Sequence, residues 1–317
     1  MSASGQADSG SEVVAARLAA FGETPERPVH AAACSTDPVA RWLAAVALGG
    51  RGHYAAAATV LEGLVGEADP VLASLAASTL ASHRRQLGGH AAARAWDARA
   101  LRLVTGPTVS EGRTRLGRPD PDGMDVTGAR VDALLGLAAD AIGLGRVDEA
   151  RRLHAVAVDT AVAAEAGWRS EVRLAWVAAE VALAADDPGT AVRHAERALE
   201  RTDRSVSVRH RVKSAMVLGA ALATAGDPAA EAVLEQAVDL ADRHRLVPLF
   251  WPAALLLDQL RGGASPLARR ARKALDDVLL RADPVARELA VASPWIPTEC
   301  SVPAINPTAA DGQILDG

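Results

Sequence analysis

The chain has 317 residues; half are hydrophobic, only 3% are aromatic, two are cysteines, and the formal net charge is −5. Such a chain can bury a sizeable core of Ala, Leu and Val, and its mild acidity gives no whole-molecule case for nucleic acid or an anionic membrane. Cys34 and Cys300 are too few and too far apart for a disulfide framework or a zinc site, and read as free thiols.

The opening MSASGQADSGSE lacks the basic and apolar regions of a signal peptide. The most apolar run, Leu246 to Leu257, is 12 residues long, contains Pro248 and Pro252, and is too short to span a bilayer. A cytoplasmic location is the expectation. Residues 1–10 are small and polar and are expected to be disordered, and 11–21 read as a first helix with Ser11 as its cap. Pro25 and Pro28 break the pattern.

Helix pairs then follow. Apolar spacing predicts helices over 38–50 and 54–65, then 71–87 and 90–104. The stretch 105–128 (TGPTVSEGRTRLGRPDPDGMDVTG) interrupts them; its Pro, Gly and charge content argues a long loop. Pairs resume at 129–143 with 147–165, 169–185 with 189–201, 205–224 with 229–243, and 248–260 with 266–281. A short helix is expected over 284–292, and residues 293–317 read as a Pro-rich acidic tail. No segment alternates with period two, so the fold class is all-α, with one repeat domain over 11–292.

Turn markers fall at Gly52, Gly89, Gly145, Asp186, Gly226 and Gly263, with gaps of 37, 56, 41, 40 and 37 residues. Removing a loop of roughly 20 residues from the long gap restores a period slightly above the 34 or so of helix-turn-helix solenoids. A lone helix pair cannot bury both faces, so neighbours must stack.

The chain resembles the tetratricopeptide-repeat (TPR) superfamily. One unit carries Leu137-Ala138, Gly145, Ala150 and Ala157, and another Leu218-Gly219, Gly226, Ala230, Leu234 and Ala237. Ala179, Ala191, Ala195 and Ala198 match a third, and Gly52, Tyr54, Ala57, Leu61 and Leu64 a fourth. The resemblance implies a TPR-like right-handed α-solenoid of about six helix pairs, with the loop after the second pair. The competing architecture is an irregular Ala-rich bundle.

The resemblance also implies that first helices line a concave groove that binds a partner peptide or helix. By register that groove receives His83, Gln86, Asp132, Arg173, Trp176, Glu180, Lys213 and Met216. Arg173, Trp176 and Glu180 share one helix face. They read either as a peptide anchor or as a Trp packed between units with flanking solvated charges. The paired-Asn clamp that some family members use is absent, since Asn306 is the only asparagine.

No P-loop, nucleophile elbow or zinc-helix motif occurs, and Asp120-Pro-Asp122-Gly-Met-Asp125 reads as a stiff turn before a capped helix rather than a calcium loop. Two basic clusters stand out: Arg204, Arg209, Arg211 and Lys213, and Arg269, Arg270, Arg272 and Lys273. The sequence therefore favours a non-enzymatic scaffold with no cofactor or metal and a protein partner, with self-association possible through a terminal repeat. The alternatives are a regulatory module of a bacterial transcriptional or nucleic-acid system, and an enzyme using 105–128 as a lid with Arg113, Arg115, Arg118, Asp120 and Asp122.

Overall fold

A computed structural model describes residues 3–106 and 114–297. The middle of the 105–128 connection, including Arg113, and the expected tail beyond Pro297, including Cys300 and Asn306, lie outside the described residues. Among the described residues there are helices and no strands.

Six antiparallel pairs form the body. They are α3 (Pro38–Gly50) with α4 (Tyr54–Leu64), α5 (Pro70–Gln86) with α6 (His90–Thr105), and α7 (Val126–Gly143) with α8 (Val147–Ala163). The series continues with α9 (Trp168–Ala184) and α10 (Pro188–Asp203), α11 (Val208–Thr224) and α12 (Ala229–Arg243), and α13 (Val247–Leu260) and α14 (Pro266–Leu280). The helix α1 (Ala3–Phe21) and the single turn α2 (His30–Ala33) precede them, and α15 (Pro284–Ala292) follows.

Local chemistry sets the boundaries. Asp37, Asp69, Asp187 and Asp283 each stand before a proline and accept a hydrogen bond from a main-chain N–H two or three residues on. Proline at the first helical position gives up no helical hydrogen bond, so Asp-Pro is a strong start signal. At the turns the chain enters the left-handed region, as at Gly145 (φ 72°) and, without a glycine, at Asp186 (φ 58°). The marker expected at Gly89 is shifted by one residue: Gly88 has φ 77°, and Gly89 lies at φ −81° as the cap of α6.

Successive first helices pack on one another, α3 on α5, then α7, α9, α11 and α13, and each second helix packs outside its own first helix. Small residues make these crossings close. Ala150, Ala191, Ala195 and Ala198 have no exposed surface, and Ala230 has 2%. A Cβ added at Gly219 would lie 2.5 Å from Leu234 Cγ, so the Leu234 side chain of α12 occupies the space that a side chain on α11 would need.

Three expectations need correction. The helix α1 begins at Ala3, so Ser11 is not its cap and 3–10 are helical. Once Ala16, Ala19 and Ala20 are buried, extending the helix adds one hydrogen bond per residue fixed. The turn α2 was not visible between the prolines and the first pair. The 105–128 connection is anchored from Thr114 on. Thr114 Oγ1 donates to Asp69 at 2.9 Å, Arg17 of α1 reaches Asp120 and Asp122 at 2.8 and 2.5 Å, and Met124 is buried. Asp125 caps α7 by accepting from Gly128 N at 2.7 Å.

The series of pairs curls until its last members meet its first. Ala55 N donates to Arg281 O at 2.8 Å, and Arg84 pairs with Asp283 at 2.6 Å across 199 residues of sequence. Tyr54 is buried in one cluster with Leu275, Val278 and Leu279. On another side, α1 packs on α3 and reaches α11, where Val208 N donates to Gly22 O at 3.2 Å. The side chain of Arg84 is 8% exposed, and Asp283 also caps α15. Asp283→Ala therefore removes a cap and leaves Arg84 with only the more distant Glu62 at 4.0 Å, a change of about 2–4 kcal/mol. Urea unfolding should show a loss of that size; a loss within ~0.5 kcal/mol would mean the first and last pairs do not hold each other there.

Candidate binding cavity

The curled pairs enclose a cavity of about 360 Å³. Its wall takes side chains from each inner helix: Trp42 on α3, His83 and Gln86 on α5, Asp132 on α7, Arg173, Trp176 and Glu180 on α9, Lys213 and Met216 on α11, and Trp251 on α13. All eight residues assigned to the groove by register thus lie on one wall. Residues that register did not supply join them: Phe21, Arg85, Arg169, Arg209 and His210, with Trp295 and Ile296 following α15. None of the described residues of the 105–128 connection lines the cavity.

Several wall charges are already paired with each other. Asp132 takes both Arg169 and Arg173, at 2.5 and 2.9 Å. Lys213 reaches Glu180 at 3.0 Å and lies 5.9 Å from the Trp176 ring centre. Arg85 lies between Asp97 and Asp140, the latter at 2.7 Å. Burial pushes the Asp97 carboxyl up, with Asp140 adding to the rise and Arg85 opposing it. The face carrying Arg173, Trp176 and Glu180 is therefore a braced surface rather than three free contacts.

Trp176 is 9% exposed; its Nε1 donates to Ser214 Oγ at 2.8 Å and its ring stacks on His210 at 5.4 Å. It packs between units and shows one edge to the cavity. Gln86 accepts from the Tyr54 hydroxyl at 3.0 Å and donates to Ser82. Phe21 closes one side, 5.9 Å from Trp42 and 5.3 Å from the Arg169 guanidinium.

Arg209 differs from the other cations. It has no hydrogen bond or ion pair among the described residues. Burial pulls its guanidinium down to about 10, with Tyr54 opposing and Arg173 and Arg169 adding to the fall. The sequence placed Arg209 in a basic cluster. Its spacing to Lys213 and Met216, at i+4 and i+7, was the signal that it shares their face. Arg169 stands in the same relation to Arg173 and Trp176.

Among the described residues no group of three or more His, Cys, Asp or Glu side chains is placed to hold a metal ion. None of the described helices is long and apolar enough to cross a membrane.

No protein-family model matches the chain, and no curated protein sequence matches it. A solved structure does: a Rap protein complexed with competence and sporulation factor, at 12% identity and a TM-score of 0.50, covering 81% of this chain and 74% of that one. The fold is that of a TPR-like helical repeat. In this TPR-like solenoid the inner helices face a cavity that Phe21 of α1 and Trp251 of the last pair help to line.

His83 is 4% exposed, stacks on Tyr54 at 5.1 Å and leaves Nδ1 without a partner. Burial, with Arg209 and Arg84 nearby, pulls its pKa down to about 3. The unfolded chain takes up this proton near pH 6.5 and the folded chain only near 3, so stability falls as pH drops through that window, by about 1.4 kcal/mol per pH unit. Wild type and His83→Phe should therefore converge or cross in stability as pH is lowered from 6.5 to 4, with Asp97 cancelling because it titrates in both. Parallel profiles would contradict a buried neutral His83.

Proposed function

We propose that this chain is a non-enzymatic interaction scaffold whose interior cavity receives a short segment of a partner protein. The observation that carries this reading is that every inner helix directs side chains into one space that the repeat does not fill itself. Packed interiors normally leave few voids larger than a water molecule. A space of about 360 Å³ lies in the range of ligand sites, about 300–1,000 Å³, so what enters is a few side chains of a segment rather than a whole helix face.

The lining supports recognition over catalysis. Trp42, Trp176 and Trp251 offer rigid apolar surface, and Arg and Trp are the residue types that dominate binding hot spots. The carboxylates Asp132 and Glu180 are engaged by Arg169, Arg173 and Lys213 rather than poised beside a nucleophile. The Rap protein of similar fold was solved with competence and sporulation factor bound. That is an analogy of fold, and it carries no residue across.

Ala139 of α7 lines the cavity and is only partly buried, so Ala139→Trp fills the space without opening the core. Affinity purification with wild-type bait defines the partner. The Ala139→Trp bait should lose it by tenfold or more at an unchanged melting temperature, while Val162→Ser on the outer helix α8 should retain it. Equal recovery by wild type and Ala139→Trp would place the partner elsewhere.

A further inference from the structure

One charge in the cavity wall has no counterpart. Arg169 and Arg173 share the single carboxylate Asp132, Lys213 has Glu180, and Arg85 has Asp97 and Asp140. Arg209 has none of these. The cations whose charges act on it are Arg173 and Arg169, so three guanidiniums line the cavity with one carboxylate, Asp132, among them. Like charges gathered in one wall repel each other unless a counter-charge meets them. A chain of net charge −5 has thus concentrated positive charge inside itself.

Arg209 is also held in place. Its side chain lies along α3 at Gly50, where an added Cβ would come 3.4 Å from Cδ and from Nε. The stem thus passes beside the α3 backbone, and Arg209 lines the cavity. The adjoining wall is apolar: Trp176 stacked on His210 on one side, Trp251 and Pro252 on another.

We propose that Arg209 anchors the carboxylate of an aspartate or glutamate side chain in the partner segment, with an apolar or aromatic neighbour of that residue lying against Trp176 and Trp251. A guanidinium fork takes a carboxylate in two parallel hydrogen bonds, and such charged pairs are the strong ones. A chain-terminal carboxylate is the poorer fit. The wall has no asparagine, and its one glutamine, Gln86, is already satisfied by Tyr54 and Ser82. The inference rests on the cavity being the partner site, and it names the chemistry of what enters.

The test uses three pools of N-acetylated hexapeptides pairing Trp, Phe or Leu with a variable neighbour. The first has Asp or Glu there and an amidated end, the second Asn or Gln and an amidated end, and the third Asn or Gln and a free carboxyl end. Binding to the full chain is read by tryptophan fluorescence at low and moderate salt. The first pool should bind at least tenfold more tightly than the second, and more weakly as salt rises. Arg209→Met should lose that preference, and Arg209→Lys should keep part of it.

Removing an uncompensated cation should also raise the melting temperature of the unliganded protein, so Arg209→Met is expected to be more stable and less able to bind. Equal binding of the first two pools, abolished by Ala139→Trp, would overturn the carboxylate assignment and leave the cavity reading intact. Acidic peptides that still bind Ala139→Trp would overturn both. A preference for the third pool, no binding by the first, or a destabilised Arg209→Met that binds normally would each overturn the role given to Arg209.

Discussion

Everything in this structure depends on how closely two helices can approach when the residues between them are small. Ala150, Ala157, Ala191, Ala195 and Ala198 have no exposed surface, and Gly219 meets Leu234 with no room for a methyl group. Larger side chains at these crossings would force the pairs apart, and overpacking of that kind costs about 1–3 kcal/mol per site. The small residues do more than save space. They fix the angle at which each pair sits on the next, and repeated small rotations between pairs set the curvature of a solenoid.

Here the curvature brings the last pair back to the first. Arg84 with Asp283, Ala55 with Arg281, and Tyr54 among Leu275, Val278 and Leu279 join segments far apart in sequence. What would be an open groove becomes a partly enclosed cavity, and partial enclosure changes its electrostatics. Ion pairs that would be weak on a surface are partly desolvated inside, so the carboxylates Asp132, Asp97 and Asp140 are tied to arginines. Arg209 is the exception. A cation left without a carboxylate among like charges in a cavity wall is the pattern expected where binding and stability pull in opposite directions.

Much of this was legible in the sequence because it is local. Asp-Pro pairs and left-handed turn residues mark helix ends within a residue or two, and the one slip, Gly89 for Gly88, reflects two adjacent glycines with equal propensity. Carrying the groove positions over by register put His83, Gln86, Asp132, Arg173, Trp176, Glu180, Lys213 and Met216 on what proves to be one wall. The same arithmetic would have added Arg169 and Arg209, each a helical turn before a residue already placed. What could not be read is long-range. That Arg173 is taken by Asp132, that Trp176 lies over His210, and that Phe21, Trp251 and Ile296 complete the wall all follow from the curl. The helical start of α1 was hidden for a related reason: its polar N-terminal turns extend a helix whose stability comes from Ala16, Ala19 and Ala20 packing below.

The closure of the repeat is the claim on which the cavity and its chemistry both stand. Gly89, ahead of α6, and Leu289, on α15, lie side by side, with an added Cβ at 89 only 3.2 Å from Leu289 Cβ. That is near the separation a disulfide spans, about 3.5–4.5 Å. In a background with Cys34 and Cys300 replaced by serine, Gly89→Cys with Leu289→Cys should oxidise rapidly to an intramolecular disulfide, seen as a faster-migrating band without reductant. A pair that stays reduced under mild oxidant, or that links only between molecules, would mean that the ends of the solenoid do not meet.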